Sequence, residues 1–463
     1  MEFIDRIKEQ ARLRRALSGE KPCFIVVYGR RRMGKSALIK QVLDENDIYY
    51  EAEQNEPQVQ IDLLTRIAAM RYPAMKGARF GSWEDLLSAF NRLCEKDSTL
   101  VLDEFPYIVK SMPSFPSMLQ RLIDSGELRF NLIICGSSQR MMQKLVLDAS
   151  EPLYGRADEK ILLGPIAPVH WEKAMRLDAR HTIEEYSVWG GVPRYWVLRE
   201  KYAGLHEAIE QLILDEHGVL ANEPAALFLD EVTDLAPYSS VMTALAGGHR
   251  RFSDLASAIG LKTNELSTPL SNLSEMFYIR KDVPFGEDER KSKKTMYTFN
   301  DPFMAFYYKF VAPNKSLLSL GRTSTVFKMV DAGFAEIVSR VWERLCQNAV
   351  SGNEVGGILW GPARYWWGKI PVYEGDKKTP ADYLETEFDV VTESLDHRHI
   401  LIGECKWQKA DYADRILKKL TDKASSAPFI GTRQVHYVLF LRERPLDSPD
   451  CIVMTPEDVL PLS

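Results

Sequence analysis

The sequence predicts an α/β fold for residues 1–165, and two observations carry this prediction. Short apolar strands alternate with helix-period segments such as Trp83 to Cys94, which is typical of a parallel sheet covered by helices. An apolar strand also runs directly into a loop that contains glycine and lysine and opens a helix. The expected strands are Phe24 to Tyr28, Ile48 to Ala52, Leu100 to Leu102, Leu132 to Cys135 and Ile161 to Leu163.

Length and composition limit what the rest of the chain can be. At about 150 residues per domain, 463 residues predict about three domains. The net charge of -6 shows no chain-wide basic character, so any nucleic-acid binding must be local. The longest apolar runs are strand-sized and the N-terminus has no apolar signal core, so we expect a cytoplasmic protein with no membrane partner. The six cysteines contain no C-x-x-C pair, which argues against a zinc site.

The clearest chemical motif is residues 29–36, which read G-x-x-x-x-G-K-S between the first strand and a helix. Gly29 and Gly34 let the backbone wrap a phosphate at the helix N-terminus. Lys35 then neutralises the β and γ phosphates of ATP, and the hydroxyl of Ser36 binds Mg²⁺. The residues predicted to bind nucleotide in this loop are Gly29, Met33, Gly34, Lys35, Ser36 and Ala37. The purpose of the consecutive arginines 30–32 stays open between phosphates, a neighbouring subunit, DNA and solvent.

Two further strands end in polar residues that suit ATP hydrolysis. The strand at 99–102 ends in Asp103, predicted to hold Mg²⁺ through water, and Glu104, predicted to polarise the attacking water. The strand at 132–135 ends near Ser137, a candidate contact for the γ phosphate or the water. A plain turn at the end of the strand is the alternative for Ser137.

These motifs resemble an AAA-type or STAND-like P-loop ATPase. Within that group, three stretches resemble the archaeal-ATPase family over residues 1–230: 3–6 (Phe-Ile-Asp-Arg), 152–156 (Pro-Leu-Tyr-Gly-Arg) and 190–195 (Gly-Gly-Val-Pro-Arg-Tyr). The resemblance implies an ASCE-type P-loop NTPase sheet with a helical lid.

The resemblance also implies roles for particular residues. Phe3 and Arg6 would lie near the adenine, and Gly191 and Pro193 would form the lid contact. Arg156 would read the γ phosphate, although an arginine in a Tyr-Gly-Arg turn is more often a surface residue.

The middle of the chain predicts a winged helix-turn-helix. One helix is expected to be capped by Ser253 and closed by Gly260, and a second runs from about Thr263 to Met276. The charged stretch from Arg280 to Lys294 then leads back through residues 296–299, as the hairpin called the wing does in a winged helix. Wing lysines suit DNA phosphates, so Lys262, Lys293 and Lys294 are the candidate DNA contacts. The alternative is a module that only packs or senses nucleotide state.

The C-terminal part predicts a helix from about Met329 to Ala349 and strands at Phe388 to Val391, Ile400 to Trp407 and Val435 to Leu441. Residues 404–406 read E-x-K, and a hairpin through residues 393–399 would bring Asp389 beside Glu404.

The pattern of these C-terminal strands resembles the D-(x)n-E-x-K core of restriction-endonuclease-like nucleases, which the archaeal-ATPase family often carries. That resemblance implies Mg²⁺ held by Asp389, Glu404 and the Cys405 carbonyl, with Lys406 positioning or activating the water. Glu343 is a further candidate ligand. The proline that usually precedes the metal aspartate is missing, and E-x-K also arises as a cross-strand ion pair, so a degenerate fold that only binds stays open.

The expected domains are a P-loop ATPase core (1–165), a helical lid (166–232), a winged helix (233–315) and an α/β restriction-endonuclease-like domain (325–463). The expected function is ATP hydrolysis that controls DNA binding, with Mg²⁺-dependent DNA cleavage. The alternatives are a STAND-like switch that forms a homo-oligomer on ATP and uses its C-terminal domain to bind partners, and a winged-helix regulator with vestigial chemistry.

Overall fold

The structure, a computed structural model, describes residues 3–95, 98–229, 231–232, 234–372, 382–408, 412–447 and 449–463. Its backbone divides into two compact units. The first contains residues 1–165, 192–194 and 225–233. The second contains residues 166–191, 195–224 and 234–463. In the described residues, no helix is both long and apolar enough to cross a membrane.

A five-stranded parallel sheet forms the centre of the first unit, as the sequence predicts. Its strands are β1 (Phe24–Tyr28), β2 (Ile48–Glu51), β3 (Thr99–Asp103), β4 (Asn131–Gly136) and β5 (Glu159–Leu162). The spatial order is β2-β3-β4-β1-β5, so β4 lies between the strand that enters the phosphate loop and the strand that ends in Asp103. Every residue of β1, β3 and β4 is buried, as expected for strands covered on both faces.

Among residues 3–165, one helix precedes the first strand and the others lie between successive strands. They are α1 (Ile7–Leu17), α2 (Lys35–Lys40), α3 (Pro57–Arg71), α4 (Trp83–Leu93), α5 (Phe105–Ser111), α6 (Phe115–Asp124) and α7 (Gln139–Leu147). The aromatic rings of Trp83 and Phe115 pack edge to face, with centroids 4.9 Å apart, in the core between these helices and the sheet. The same core includes buried residues of β1, β3 and β4, the strands whose ends carry the predicted chemistry.

A helical segment follows, made of α8 (Pro168–Met175), α9 (Ala179–Trp189), α10 (Pro193–Arg199), α11 (Leu205–Ile209), a π-helical turn (Glu210–Leu214) and α12 (Glu223–Leu229). The charged side chains of Glu185 and Arg199 are only 4% and 6% exposed, and they form a bidentate ion pair with N–O distances of 2.5 and 2.9 Å. The indole nitrogen of Trp189 donates a further hydrogen bond to Glu185. The pair therefore fastens α9 to α10 inside the core.

We expect Arg199→Met to lower the free energy of unfolding by about 3–5 kcal/mol, because Glu185 would remain buried without its cation. Urea denaturation followed by circular dichroism measures this change. The matched control is Arg180→Met, because Arg180 forms an exposed pair with Glu184 on the same helix α9. That control should cost less than about 0.5 kcal/mol. Equal losses of unfolding free energy in the two variants would show that the buried pair stabilises the fold no more than the exposed pair does.

Residues 234–299, called the middle segment below, consist of three helices and a hairpin. The elements are α13 (Ala236–Ala246), α14 (Phe252–Ile259), α15 (Thr263–Glu275), β6 (Ile279–Asp282) and β7 (Met296–Phe299). Gly260 ends α14 with φ of 74°, as the sequence predicts. The expected cap at Ser253 is wrong, because the N-cap lies two residues earlier, at Arg251, and the helix begins at Phe252. A β-bridge to Met296 holds Arg251 extended and places it at the N-cap.

The C-terminal part is a mixed sheet packed against one long helix. Its elements are α16 (Pro302–Phe306), a π-helical turn (Tyr307–Val311), α17 (Lys315–Ser319), α18 (Thr323–Val350), β8 (Glu354–Val355), β9 (Ile358–Leu359), β10 (Arg364–Val372), β11 (Asp382–Glu393), β12 (His399–Lys406), α19 (Ala413–Ala424), β13 (Gln434–Leu441), β14 (Ile452–Met454) and α20 (Pro456–Val459).

The larger sheet of this part has the order β10-β11-β12-β13-β14, antiparallel as far as β12 and parallel beyond it. Strand β11 is longer than predicted, and α18 begins at Thr323, before the expected Met329. The expected hairpin between β11 and β12 forms, with Val390 opposite Gly403 as the last paired residues. Asp389 and Glu404 therefore follow at the point where the two strands separate.

Candidate functional sites

The loop between β1 and α2 has the backbone that a phosphate cradle needs. Gly29 has φ of 147°, and a Cβ there would lie 2.5 Å from the Leu163 carbonyl oxygen, so only glycine fits. Gly34 has φ of 84° at the N-cap of α2. Lys35 and Ser36 therefore begin the helix, where backbone N–H groups and the helix dipole attract an anion. Ala37 lies on the exposed side of this first turn, and Met33 is buried.

The ammonium of Lys35 is buried and donates to the Gly29 and Arg30 carbonyl oxygens at 2.8 and 3.0 Å. The loop's own carbonyls thus hold the cation in the loop before any phosphate arrives. An ATP phosphate would replace these two neutral acceptors with charged oxygens, which accept stronger hydrogen bonds.

Ser36 and Asp103 meet as the motifs predict. The Ser36 hydroxyl donates to Asp103 Oδ2 at 2.8 Å, and the hydroxyl of Tyr49, on β2, donates to the same oxygen. Burial by itself would raise the pKa of Asp103, but hydrogen bonds from Tyr49, Cys135 and Ser36 lower it below its ordinary value. Asp103 is therefore ionised, and an anionic carboxylate beside a serine hydroxyl is the oxygen donor set that Mg²⁺ prefers.

Glu104 is also held in place by neighbouring groups. It has φ of 50°, in the left-handed region, and it precedes α5. Its Oε2 accepts from the Ser137 hydroxyl at 2.8 Å and from the Ser137 backbone N–H at 3.3 Å. The residue predicted to contact the γ phosphate or the water is therefore the direct partner of the residue predicted to polarise the water.

Of the residues implied by the family resemblance, Arg6 lies against the loop. It is 5% exposed and donates to the Met33 carbonyl at 3.4 Å and the Gly164 carbonyl at 2.5 Å. Phe3 is half-buried and lies three residues before it. Pro193 also lies beside the loop, since a Cβ on Gly34 would be 3.9 Å from its Cγ. The Gly191 carbonyl accepts from the Ile166 backbone N–H at 2.9 Å.

Arg156 forms a bidentate ion pair with Asp124 of α6, with both N–O distances at 2.8 Å. It also donates to the Pro152 and Tyr154 carbonyls. A γ-phosphate contact would require this side chain to leave Asp124, so that role stays a prediction.

A second cluster lies where β11 and β12 separate. Asp389 Oδ2 accepts from the Cys405 backbone N–H at 2.8 Å. Glu404 Oε1 lies 2.7 Å from the Lys406 ammonium, and Glu404 is 14% exposed. The chain thus brings together the three side chains that the sequence predicted from the D-(x)n-E-x-K pattern.

The electrostatics of this cluster follow from burial. Burial raises the pKa of Asp389 well above its ordinary value, and the charges of Glu343 and Glu404 add to the rise. Burial alone would lower the pKa of Lys406, but Glu404 and Asp389 raise it, so the lysine stays protonated. Such a lysine can position a water or steady a phosphate charge, and it is a poor base. The raised pKa favours the protonated form of Asp389. A bound divalent cation would favour the ionised carboxylate instead, because a metal ligand must be deprotonated.

In the part of the chain that the structure describes, no group of three or more His, Cys, Asp or Glu side chains is placed to hold a metal ion. Glu343 is bound instead by the Tyr365 hydroxyl at 2.8 Å. A metal at this cluster would therefore rely on two carboxylates, Asp389 and Glu404, with the Cys405 carbonyl. This oxygen donor set is compatible with Mg²⁺.

Four functional neighbours carry no signal in the sequence. They are Tyr49, which binds Asp103; Lys423 of α19, which binds Glu404 at 3.2 Å; Gln347 of α18, which donates to the Asp389 carbonyl at 2.6 Å; and Glu231, which accepts from Ser138 and Gln139 at 3.0 and 2.8 Å. Each meets its partner across a long stretch of chain. Only the tertiary structure, in the strand pairing for Tyr49 and in the packing of helices and loops for the other three, identifies them.

The candidate DNA contacts are all exposed lysines. Lys262 is the N-cap residue of α15. Lys293 and Lys294 precede β7, and Lys294 is paired with Glu287 at 2.8 Å.

The sheet order, the phosphate loop and the Ser36–Asp103 and Glu104–Ser137 contacts define a P-loop ATPase. Comparison with known families makes this specific. Residues 3–195 match an ATPase domain predominantly from Archaea, and residues 307–419 match archaeal and bacterial proteins of unknown function. Residues 3–195 are therefore similar to P-loop ATPase domains of the archaeal type.

The chain is also similar to individual proteins and solved structures. An uncharacterized protein of Methanocaldococcus jannaschii is 27% identical over 472 residues, covering 98% of this chain and 99% of the relative. Among solved structures, the Walker-type ATPase of Pyrococcus abyssi matches with a TM-score of 0.51 at 19% identity, over 66% of this chain and 96% of that one. The ORC2 protein of Aeropyrum pernix, solved in ADPNP-ADP complexes, matches with a TM-score of 0.45 at 16% identity, over 71% of this chain and 96% of that one.

Proposed function

We propose that this protein hydrolyses ATP with Mg²⁺ and that its nucleotide state controls a DNA-binding middle segment and a Mg²⁺-dependent nuclease centre at Asp389, Glu404 and Lys406. The observation that carries the nuclease part is the convergence of Asp389 on the Cys405 amide beside the Glu404–Lys406 ion pair. The Mg²⁺ would supply positive charge to the phosphodiester and acidify a water.

The chain's own residues have defined tasks in this proposal. Lys35 binds the ATP phosphates, and Glu104 orients the attacking water and takes its proton. At the second centre, protonated Lys406 holds the water or the phosphate near Glu404. Lys423 fixes Glu404 from α19, so this carboxylate cannot rotate freely when DNA binds.

Support for coupling comes from Glu231. Its carboxylate accepts from Ser138 and from the Gln139 backbone, directly after Ser137. Glu231 is also three residues before position 234, where the chain re-enters the second unit. A movement of Ser137 on ATP binding would therefore pull on the segment that leads into the middle segment.

The nuclease part is tested by incubating supercoiled plasmid with Mg²⁺ or Mn²⁺ and separating nicked from supercoiled DNA on a gel. We expect wild type to nick the plasmid and Glu404→Ala to spare it, because the variant loses a metal ligand and the partner of Lys406. Glu354→Ala removes an exposed carboxylate from β8 and should nick like wild type. Equal nicking by wild type and Glu404→Ala would contradict the proposal and point to a contaminating nuclease.

A second candidate function has its own supporting observation. Glu404 is bound by both Lys406 and Lys423, and such an ion-paired carboxylate also suits a degenerate centre that only binds partners. In that case the protein is a STAND-like switch that forms a homo-oligomer with ATP. Absent nicking together with an ATP-dependent increase in mass, measured by light scattering, would favour this function.

A further inference from the structure

A groove of about 1080 Å³ lies between the middle segment and the C-terminal sheet, within the second unit. One wall comes from the start of α14 and the residues around β7, and the other comes from β10 and β11. The walls are fastened together at one end. The Phe285 backbone N–H donates to the Tyr365 carbonyl at 2.8 Å, and Glu289 pairs with Arg364 at 2.6 Å. Ordinary small-molecule sites have volumes of roughly 300–1,000 Å³, so this groove is at least as large as such a site.

The two walls differ in charge. The wall of the middle segment carries Arg251, Lys293 and Lys294, all exposed. The sheet wall carries Lys369 against two carboxylates, Glu385 and Glu387. The formal charges are therefore +3 on the first wall and -1 on the second.

Aromatic rings accompany this charge pattern. The sheet wall presents Trp367, which is half-buried and directly opposite Glu387 in the β10–β11 pairing. Phe252, at the start of α14, lines the other wall. Rings of this kind are the stacking platforms of proteins that bind single-stranded nucleic acid.

The groove also adjoins the second candidate centre. The Lys423 ammonium lies 3.3 Å from the Glu387 carbonyl oxygen and 3.2 Å from Glu404 Oε2. One lysine therefore connects the groove wall to the carboxylate that pairs with Lys406. Along β11, Glu387 is two residues from Asp389, about 7 Å of extended strand.

We propose that this groove binds one strand of nucleic acid and leads it towards Asp389, Glu404 and Lys406. The phosphates lie along Arg251, Lys293 and Lys294, while the bases face Trp367 and the carboxylates, which accept hydrogen bonds from amino groups of bases. A duplex presents phosphates on both of its flanks, and Glu385 and Glu387 would repel one of them. The destination of the strand rests on the proposed nuclease function, whereas its binding does not.

The test measures affinity in EDTA, where no cleavage occurs, by fluorescence anisotropy with a labelled single strand of alternating adenine and cytosine, whose bases carry amino groups, and a hairpin duplex of equal length. We expect the full-length protein to bind the single strand more tightly. Trp367→Ala and Lys293→Glu should each weaken binding about tenfold, and Lys293→Glu should also reduce the salt dependence. Trp367→Phe should keep most of the affinity, because the ring remains.

The control variant is Lys418→Ala, which removes an exposed lysine of α19 and should bind like wild type. Tighter binding of the duplex, or wild-type affinity in both groove variants, would overturn the proposal. If Trp367→Ala does not fold, Lys293→Glu still decides the outcome, because wild-type affinity in that variant would overturn the proposal.

The groove and the nuclease can fail separately. If the strand binds in the groove but plasmid is never nicked, the groove stands and the nuclease function is wrong. If plasmid is nicked and Glu404→Ala abolishes nicking, while the groove variants bind the strand like wild type, the groove proposal is wrong and the nuclease function stands.

Discussion

Lys35→Ala is expected to lower ATP turnover by at least about 10²–10³-fold, because the substitution removes the buried cation that stabilises charge on the transferred phosphoryl group. It should also weaken ATP binding about 10- to 100-fold, as loss of a charged hydrogen bond does. The structure supports both effects, since the Lys35 ammonium is already held inside the loop by the Gly29 and Arg30 carbonyls.

Phosphate release and binding of a fluorescent ATP analogue measure the two effects separately. Lys76→Ala is the matched control, because Lys76 is an exposed lysine of the same unit outside the loop. Its turnover should equal that of wild type. Hydrolysis by Lys35→Ala at the wild-type rate would show that the observed activity does not come from this loop.

Glu104→Gln is expected to bind ATP about as well as wild type while its turnover number falls about 10²–10⁴-fold. A glutamine side-chain oxygen can still accept from the Ser137 hydroxyl, so the loop after β3 should keep its shape. The amide cannot take a proton from water, so only the chemical step is lost. This separation of binding from turnover distinguishes a catalytic role of Glu104 from a structural one.

The measurement is single-turnover hydrolysis alongside equilibrium binding of the ATP analogue. Glu127→Gln, at an exposed position of the same unit, is the control and should hydrolyse normally. A parallel loss of affinity and turnover in Glu104→Gln would mean that this carboxylate serves binding. Unchanged turnover would mean that another group orients the water.

Much of the fold could be predicted because its signals are local. The phosphate loop, the Asp103–Glu104 pair and the end of α14 at Gly260 each depend on a few consecutive residues whose backbone preferences or charges are strong. The β11–β12 hairpin belongs with them, since a short polar turn joins two apolar strands.

The errors and omissions have a common cause in contacts between distant segments. Ser253 has the usual side chain for a helix cap, yet the bridge between Arg251 and Met296 places the N-cap of α14 two residues earlier, at Arg251. Tyr49 reaches Asp103 only because β2 pairs with β3. Lys423 reaches Glu404 only because α19 packs against β12 and β13.

The phosphate loop, the acidic strand end and the E-x-K strand can be recognised from the order of the amino acids alone, because each is a run of neighbouring residues with a fixed spacing. The tertiary structure selects the hydrogen-bond partners of those motifs. The Ser137 hydroxyl donates to Glu104, the Cys405 backbone N–H donates to Asp389, and the Lys423 ammonium donates to Glu404. The tertiary structure also decided that basic residues of the middle segment and acidic residues of β11 face one groove. The physical reason is that spacing along the chain fixes local conformation, whereas packing of the core chooses the partners of each side chain across the sheet.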